Sequence, residues 1–126
     1  MSAKGGEISE NQFDEIRAIA LAYDIGTCIQ CATAIKAFLK SQKIKGRHIR
    51  VETLSPHGLQ GIIYDDGTNQ QIATNGFHEG IAIEIEGVEK VFDNLYPEGK
   101  PIDQWRQDLV VIPGNQLNII IKEEFE

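Results

Sequence analysis

Cys28 and Cys31, the two cysteines of this 126-residue chain, are its strongest nucleophiles in type, and their spacing is C-x-x-C. The thiolate is the reactive form, so the question is which sulfur sits where negative charge is stabilised. Gly26 ends one apolar helical pattern and Thr27 can cap the next, which puts Cys28 at a helix start. A helix N-terminus carries partial positive charge and unpaired N–H groups. Both favour a thiolate, and the same N–H groups can donate to an oxyanion formed beside the sulfur. Cys31 lies one turn further in, on the apolar stripe, where burial makes a thiol inert. Cys28 is therefore the favoured nucleophile, and a later helix start would transfer the role to Cys31. The blander readings are two core thiols or a redox pair; redox pairs of this spacing follow a strand, and here a helix precedes.

A thiol needs a base, and the base needs an orienting group. Asn75-Gly76-Phe77-His78-Glu79-Gly80 opens a strand pattern that turns at Glu86-Gly87 and returns through Val91-Phe92-Asp93-Asn94. A loop centred between Glu86 and Gly87 sets His78 opposite Leu95 and Asp93 opposite Gly80. Asp93 then stands one diagonal step from His78 on the same face, and Gly80 leaves room for its carboxylate. His78 would take the thiol proton and return it to a leaving group, with Asp93 holding the tautomer. A slip of one residue would turn Asp93 to the wrong face, and Asn94 reaches the region if the register differs. A lone histidine at a strand start is usually structural and an Asp-Asn pair after a strand is usually turn chemistry. The conjunction of the three carries the reading. His48, in a basic stretch, and His57, in the turn Ser55-Pro56-His57-Gly58, fit less well.

The elements that must position these groups follow from periodicity. Ser9 with Gln12 reads as a capping box, and Phe13, Ile16, Ala20 and Tyr23 recur at helical spacing, giving a first helix over 9 to about 24. Cys28, Cys31, Ala32, Ile35, Phe38 and Leu39 form one apolar face of a second helix ending near Gln42. The period then changes to two, with strands expected over 48–54, 61–64, 71–73, 79–86, 90–93 and 117–122, and a short helix over about 101–108. Consecutive strands joined by short turns pair antiparallel, so the fold class expected is α+β, a central helix packed on an antiparallel sheet. One domain over 8–126 is expected, after a flexible start over 1–7.

Composition sets bounds. The formal net charge is −7, with 41% hydrophobic and 25% charged residues, ordinary for a globular chain. Lys36, Lys40, Lys43, Lys45, Arg47 and Arg50 read as a solvated face, so nucleic acid is not expected as a partner. No apolar run is long enough to span a membrane and residues 1–10 lack a signal-peptide core, so the protein is expected in the cytoplasm or exported without such a signal. Two cysteines and scattered histidines do not complete a metal site, and thiol chemistry requires no cofactor. Asp65-Asp66-Gly67 and Glu123-Glu124-Phe125-Glu126 read as a solvated turn and tail.

The order cysteine on a central helix, histidine, then aspartate on neighbouring strands is also that of papain-like thiol enzymes. Gly26-Thr27-Cys28-Ile29-Gln30-Cys31-Ala32 resembles the start of their nucleophile helix. Together with Asn75-Gly76-Phe77-His78-Glu79-Gly80 and Val91-Phe92-Asp93-Asn94-Leu95-Tyr96-Pro97-Glu98-Gly99 it resembles the bacterial papain fold toxin 2 domain, from about Tyr23 to Trp105. The resemblance implies a papain-like fold, a Cys28–His78–Asp93 triad, and an amide hydrolase acting on proteins or peptides, as peptidase or glutamine deamidase. Papain carries a second cysteine three residues before its nucleophile, and that alignment favours Cys31. Papain's upstream oxyanion-hole glutamine has no counterpart in Ala22-Tyr23-Asp24-Ile25, which leaves backbone N–H groups or Gln30 for the role. A transglutaminase-like acyl transferase and a non-catalytic binding module of the same fold are the alternatives. A toxin of this kind implies a cognate immunity protein in the cell that makes it.

Overall fold

The computed structural model describes residues 8–55 and 58–126. The expected flexible start over 1–7 and the turn residue His57 lie outside the described residues. Helix α1 (Glu10–Leu21) begins with the expected capping box, Ser9 and Gln12 each satisfying the other's backbone N–H. It ends short of Tyr23, because Gly26 takes a left-handed φ of +97° and the chain must turn before it. Helix α2 (Cys28–Ser41) buries Cys31, Ala32, Ile35 and Leu39, the stripe read from the sequence.

Among the described residues eight strands follow: β1 (Gly46–Thr53), β2 (Ile63–Asp65), β3 (Gln70–Ala73), β4 (Phe77–Ile85), β5 (Val88–Phe92), β6 (Lys100–Pro101), β7 (Leu109–Val111) and β8 (Leu117–Phe125). A 3-10 turn, Gly58–Gly61, takes Gly61 out of the strand expected there, and α3 (Ile102–Gln107) lies between β6 and β7. The strands form two sheets, not one: a five-stranded sheet in the order β6-β5-β4-β1-β8 and a three-stranded sheet in the order β3-β2-β7. Every pairing is antiparallel.

Alternation along β4 and β5 divides the core in two. Ile81, Ile83 and Phe92 pack with Ile16, Ile35 and Leu39 of the helices. Ala82 and Val91 point the other way and pack with Ile49, Val51, Ile63, Ile72, Trp105 and Leu109, between the sheets. The five-stranded sheet thus has α1 and α2 on one face and the smaller sheet with α3 on the other.

Three solvated readings are corrected. Glu123–Phe125 is not a tail: β8 runs to Phe125, whose ring packs into the helix-side core, while Glu123 bridges Lys36 and Lys40 at 2.9 and 2.7 Å. Asp65 is fully buried and accepts from Thr68 N, Thr68 Oγ1 and Tyr96 Oη. The basic stretch turns inward in part: buried His48 lies 2.6 Å from the carboxylate of buried Glu79, with Lys36 Nζ 3.0 Å from its Nδ1, and Arg50 Nη1 lies 3.3 Å from Glu79. A buried charge must be paired, and Glu79 meets His48, Arg50 and Lys122, while Asp65 has, among the described residues, only the neutral donors on its Oδ2.

Candidate active site

The hairpin of β4 and β5 fixes the site's register. Glu86 and Gly87 both have positive φ, 52° and 84°, which is the two-residue turn whose twist suits paired strands. Ile85 faces Val88 and Ile81 faces Phe92, the register expected. His78 and Asp93, one step beyond, share the face of Gly80 and Val91. His78 Nε2 lies 2.8 Å from Asp93 Oδ2, and both side chains are buried. A Cβ on Gly80 would stand 2.7 Å from Val91 Cγ1 and 3.6 Å from Asp93 Cβ, so the glycine mainly clears β5 itself.

Four donors converge on the Asp93 carboxylate. His78 Nε2 and Trp105 Nε1 donate to Oδ2 at 2.8 and 2.9 Å, and Leu95 N and Tyr96 N to Oδ1 at 2.9 and 2.8 Å. An ionised carboxylate accepts only, so the His78 proton facing it is on Nε2. Burial alone would push Asp93 up, but the hydrogen bond and charge of His78, with Trp105 and the Tyr96 N–H, hold it below its usual range. Burial likewise opposes a charged imidazole, yet Asp93, and then Cys28, lift His78 from 6.5 to about 9. Its remaining nitrogen, Nδ1, is buried and makes no hydrogen bond among the described residues. Thiol–imidazole contacts often tighten only when substrate is bound.

The two sulfurs differ sharply. Cys31 is buried in the helix-side core, and burial pushes its thiol up to about 12, with the charge of Asp93 and Cys28 acting in the same direction. Cys28 is half-buried, opens α2, and lines a groove of about 330 Å³. Thr27 occupies the N-cap position but gives its hydroxyl to Asp24 O at 2.6 Å instead of capping, so among the described residues the first N–H groups of α2 have no side-chain cap. Asn94 does not reach His78; its Nδ2 donates to the same Asp24 oxygen at 2.9 Å and ties the turn before Cys28 to the end of β5. Gln30 is exposed along the groove beside Cys28. His48 is committed to Glu79, away from this cluster.

Sequence reasoning gave Trp105 and Tyr96 no role. Trp105 donates to Asp93 and lies over His78, with ring centroids 6.0 Å apart. Tyr96 joins Asp93 to the second sheet, since its N–H donates to Asp93 Oδ1 and its hydroxyl to Asp65 Oδ2 at 2.5 Å. The available signal was an Asp followed by N–H groups two and three residues on, the pattern of an Asx turn. Among the described residues no cluster of three or more His, Cys, Asp and Glu has the arrangement of a metal site, and no helix is long and apolar enough to cross a membrane.

A central helix that opens with a thiol, packed on an antiparallel sheet that carries a buried His–Asp pair, defines a papain-like domain. The papain fold toxin 2 family model matches residues 11–110, and the chain belongs to that family. Neither the curated proteins nor the solved structures contain a match.

Proposed function

We propose that this protein is a thiol hydrolase of amide bonds, with Cys28 as nucleophile, His78 as acid and base, and Asp93 as the group that orients and charges the imidazole. The observation that carries it is the buried His78–Asp93 pair, whose one unpartnered nitrogen is the one left for the half-exposed thiol at the start of α2. His78 Nδ1 takes the Sγ proton, and the sulfur attacks the amide carbonyl. The imidazolium returns the proton to the departing nitrogen, leaving a thioester and a free amine or ammonia. Water, giving its proton to His78, then adds to the thioester and releases a carboxylic acid and the thiol. The open N–H groups of the first turn of α2, with Gln30 nearby, are the donors proposed for the oxyanion. Peptide cleavage and glutamine deamidation share every one of these steps.

Brief iodoacetamide exposure at pH 6 followed by mass spectrometry tests the assignment. Single labelling at Cys28 that is lost in His78→Ala is the expected result. Preferential labelling of Cys31 would move the nucleophile, and labelling of neither would sink the catalytic reading in favour of a binding module. Since the family is one of toxins, a protein inhibitor that covers the Cys28 groove is the partner proposed in the producing cell.

A further inference from the structure

The groove beside Cys28 has an unusual lining for so charged a chain. One wall is Ile25, Gly26, Cys28, Ile29 and Gln30, and the other is residues 71–75 with Phe77. No charged residue lines it, in a protein in which charged residues make up 25% of the chain. The second wall includes three consecutive strand residues, Gln71, Ile72 and Ala73 of β3, followed by Thr74 and Asn75 of the bend after it. Side chains of a strand alternate between faces, so a continuous run borders one groove only where the strand presents its edge. The sheet order agrees, because β3 pairs with β2 on one side and, among the described residues, has no strand on the other. Its alternate N–H and C=O groups on that side are the free half of an antiparallel ladder. The wall is also pinned: Gly76 N donates to Gly61 O at 2.9 Å, and Gly76 O accepts from Thr53 N at 2.8 Å.

We infer that this groove takes an extended polypeptide segment with no charged side chain, added as a fourth strand to the free edge of β3, which delivers a neutral amide to Cys28. The inference rests on the proposed hydrolase only for what happens at the sulfur. The strand portion of the wall is Gln71, Ile72 and Ala73, so the paired stretch is about three residues long, with the rest of the segment lying along the bend that follows. Backbone pairing supplies binding that is blind to sequence. The uncharged walls supply selection: a Lys or Arg laid between Ile25, Ile29 and Phe77 loses water and gains no counter-charge, and an Asp or Glu meets, among the described residues, only Arg50, which stacks on Phe77 at 3.8 Å and is already paired to Glu52 and Glu79. Gln30, Gln71, Thr74 and Asn75 offer hydrogen bonds to neutral polar groups, a carboxamide included.

The test uses the full chain as Cys28→Ala and a fluorescein-labelled hexapeptide of Ala, Val, Gln and Thr with blocked ends, read by fluorescence anisotropy. A single Glu or Lys within the peptide is expected to weaken binding about tenfold or more. N-methylation, one amide at a time, is expected to weaken binding about fivefold at alternate amides and leave the others unchanged, the mark of strand addition. Gln71→Lys, a surface change, should raise affinity for the Glu peptide and lower it for the Lys peptide. Equal affinity for neutral and charged peptides, N-methyl effects without a two-residue period, or no binding at millimolar peptide would overturn the inference. Iodoacetamide labelling of the unmutated protein reports separately on the thiol: periodic, charge-selective binding beside an inert Cys28 sustains the groove and sinks the hydrolase.

Discussion

Replacing Asp93 by asparagine removes one charge and turns one acceptor into a donor, and the structure says what each costs. Two donors meet Oδ2 and two meet Oδ1. However an amide is turned there, its NH2 group faces two N–H groups head on, and a buried mismatch of this kind costs roughly 1–3 kcal/mol. The charge adds a pH-dependent part. Against burial, Asp93 and to a smaller extent Cys28 lift His78 from 6.5 to about 9, which corresponds to about 3 kcal/mol of folding stability, most of it from the carboxylate. Because the folded value is the higher one, that contribution is fully present below pH 6.5 and is lost as the pH rises through 9. Urea unfolding of Asp93→Asn against the parent, at pH 6 and again at pH 10, separates the parts. The expected loss at pH 6 exceeds that at pH 10 by roughly 2–3 kcal/mol, the mismatch alone remaining at the higher pH. A loss of the same size at both would refute the ion-pair account. A domain of this size has about 5–15 kcal/mol to lose, so the variant should still show a folded baseline.

Three further outcomes follow from the same contacts. Trp105→Phe keeps a buried ring but drops the Nε1 donor to Asp93; it should cost about 1.5–3 kcal/mol in urea unfolding and let the His78 pKa, followed by NMR, drift. Phe125→Ala should destabilise by about 3–5 kcal/mol, because its ring belongs to the helix-side core and not to a tail; a thermal shift within error of the parent would restore the tail reading. Cys31→Ala should cost on the order of 1–2 kcal/mol through the small cavity it leaves, yet keep fast iodoacetamide labelling at Cys28.

The parts of this architecture that were legible are those set by local period. The buried stripe of α2, the capping box at Ser9 and the Glu86-Gly87 turn each depend on residues a few positions apart. The turn in particular determines which residues of β4 and β5 meet, and so brings His78 to Asp93. What escaped depends on partners far along the chain. Asp65, His48 and Glu79 look like surface residues until Tyr96, Lys36 and Arg50 arrive from elsewhere to pair them. The split into two sheets rests on β2 pairing with β7, a strand of three residues with no hairpin to announce it. Phe125 sits among three glutamates, a composition that hides one inward-facing ring.

Strand β4 pairs with β1 over Phe77 to Ala82 and with β5 over Ile81 to Ile85, and is buried on both faces from His78 to Ile83. Its amides can meet solvent deuterium only through openings close to global unfolding in free energy. The first turn of α2, which has no side-chain cap, can fray at far lower energy. The imidazole is thus anchored in the slowest-exchanging layer of the molecule, while the sulfur opposite it rides on a segment free to adjust. Should chemistry here wait on motion, it waits on the thiol's side of the pair.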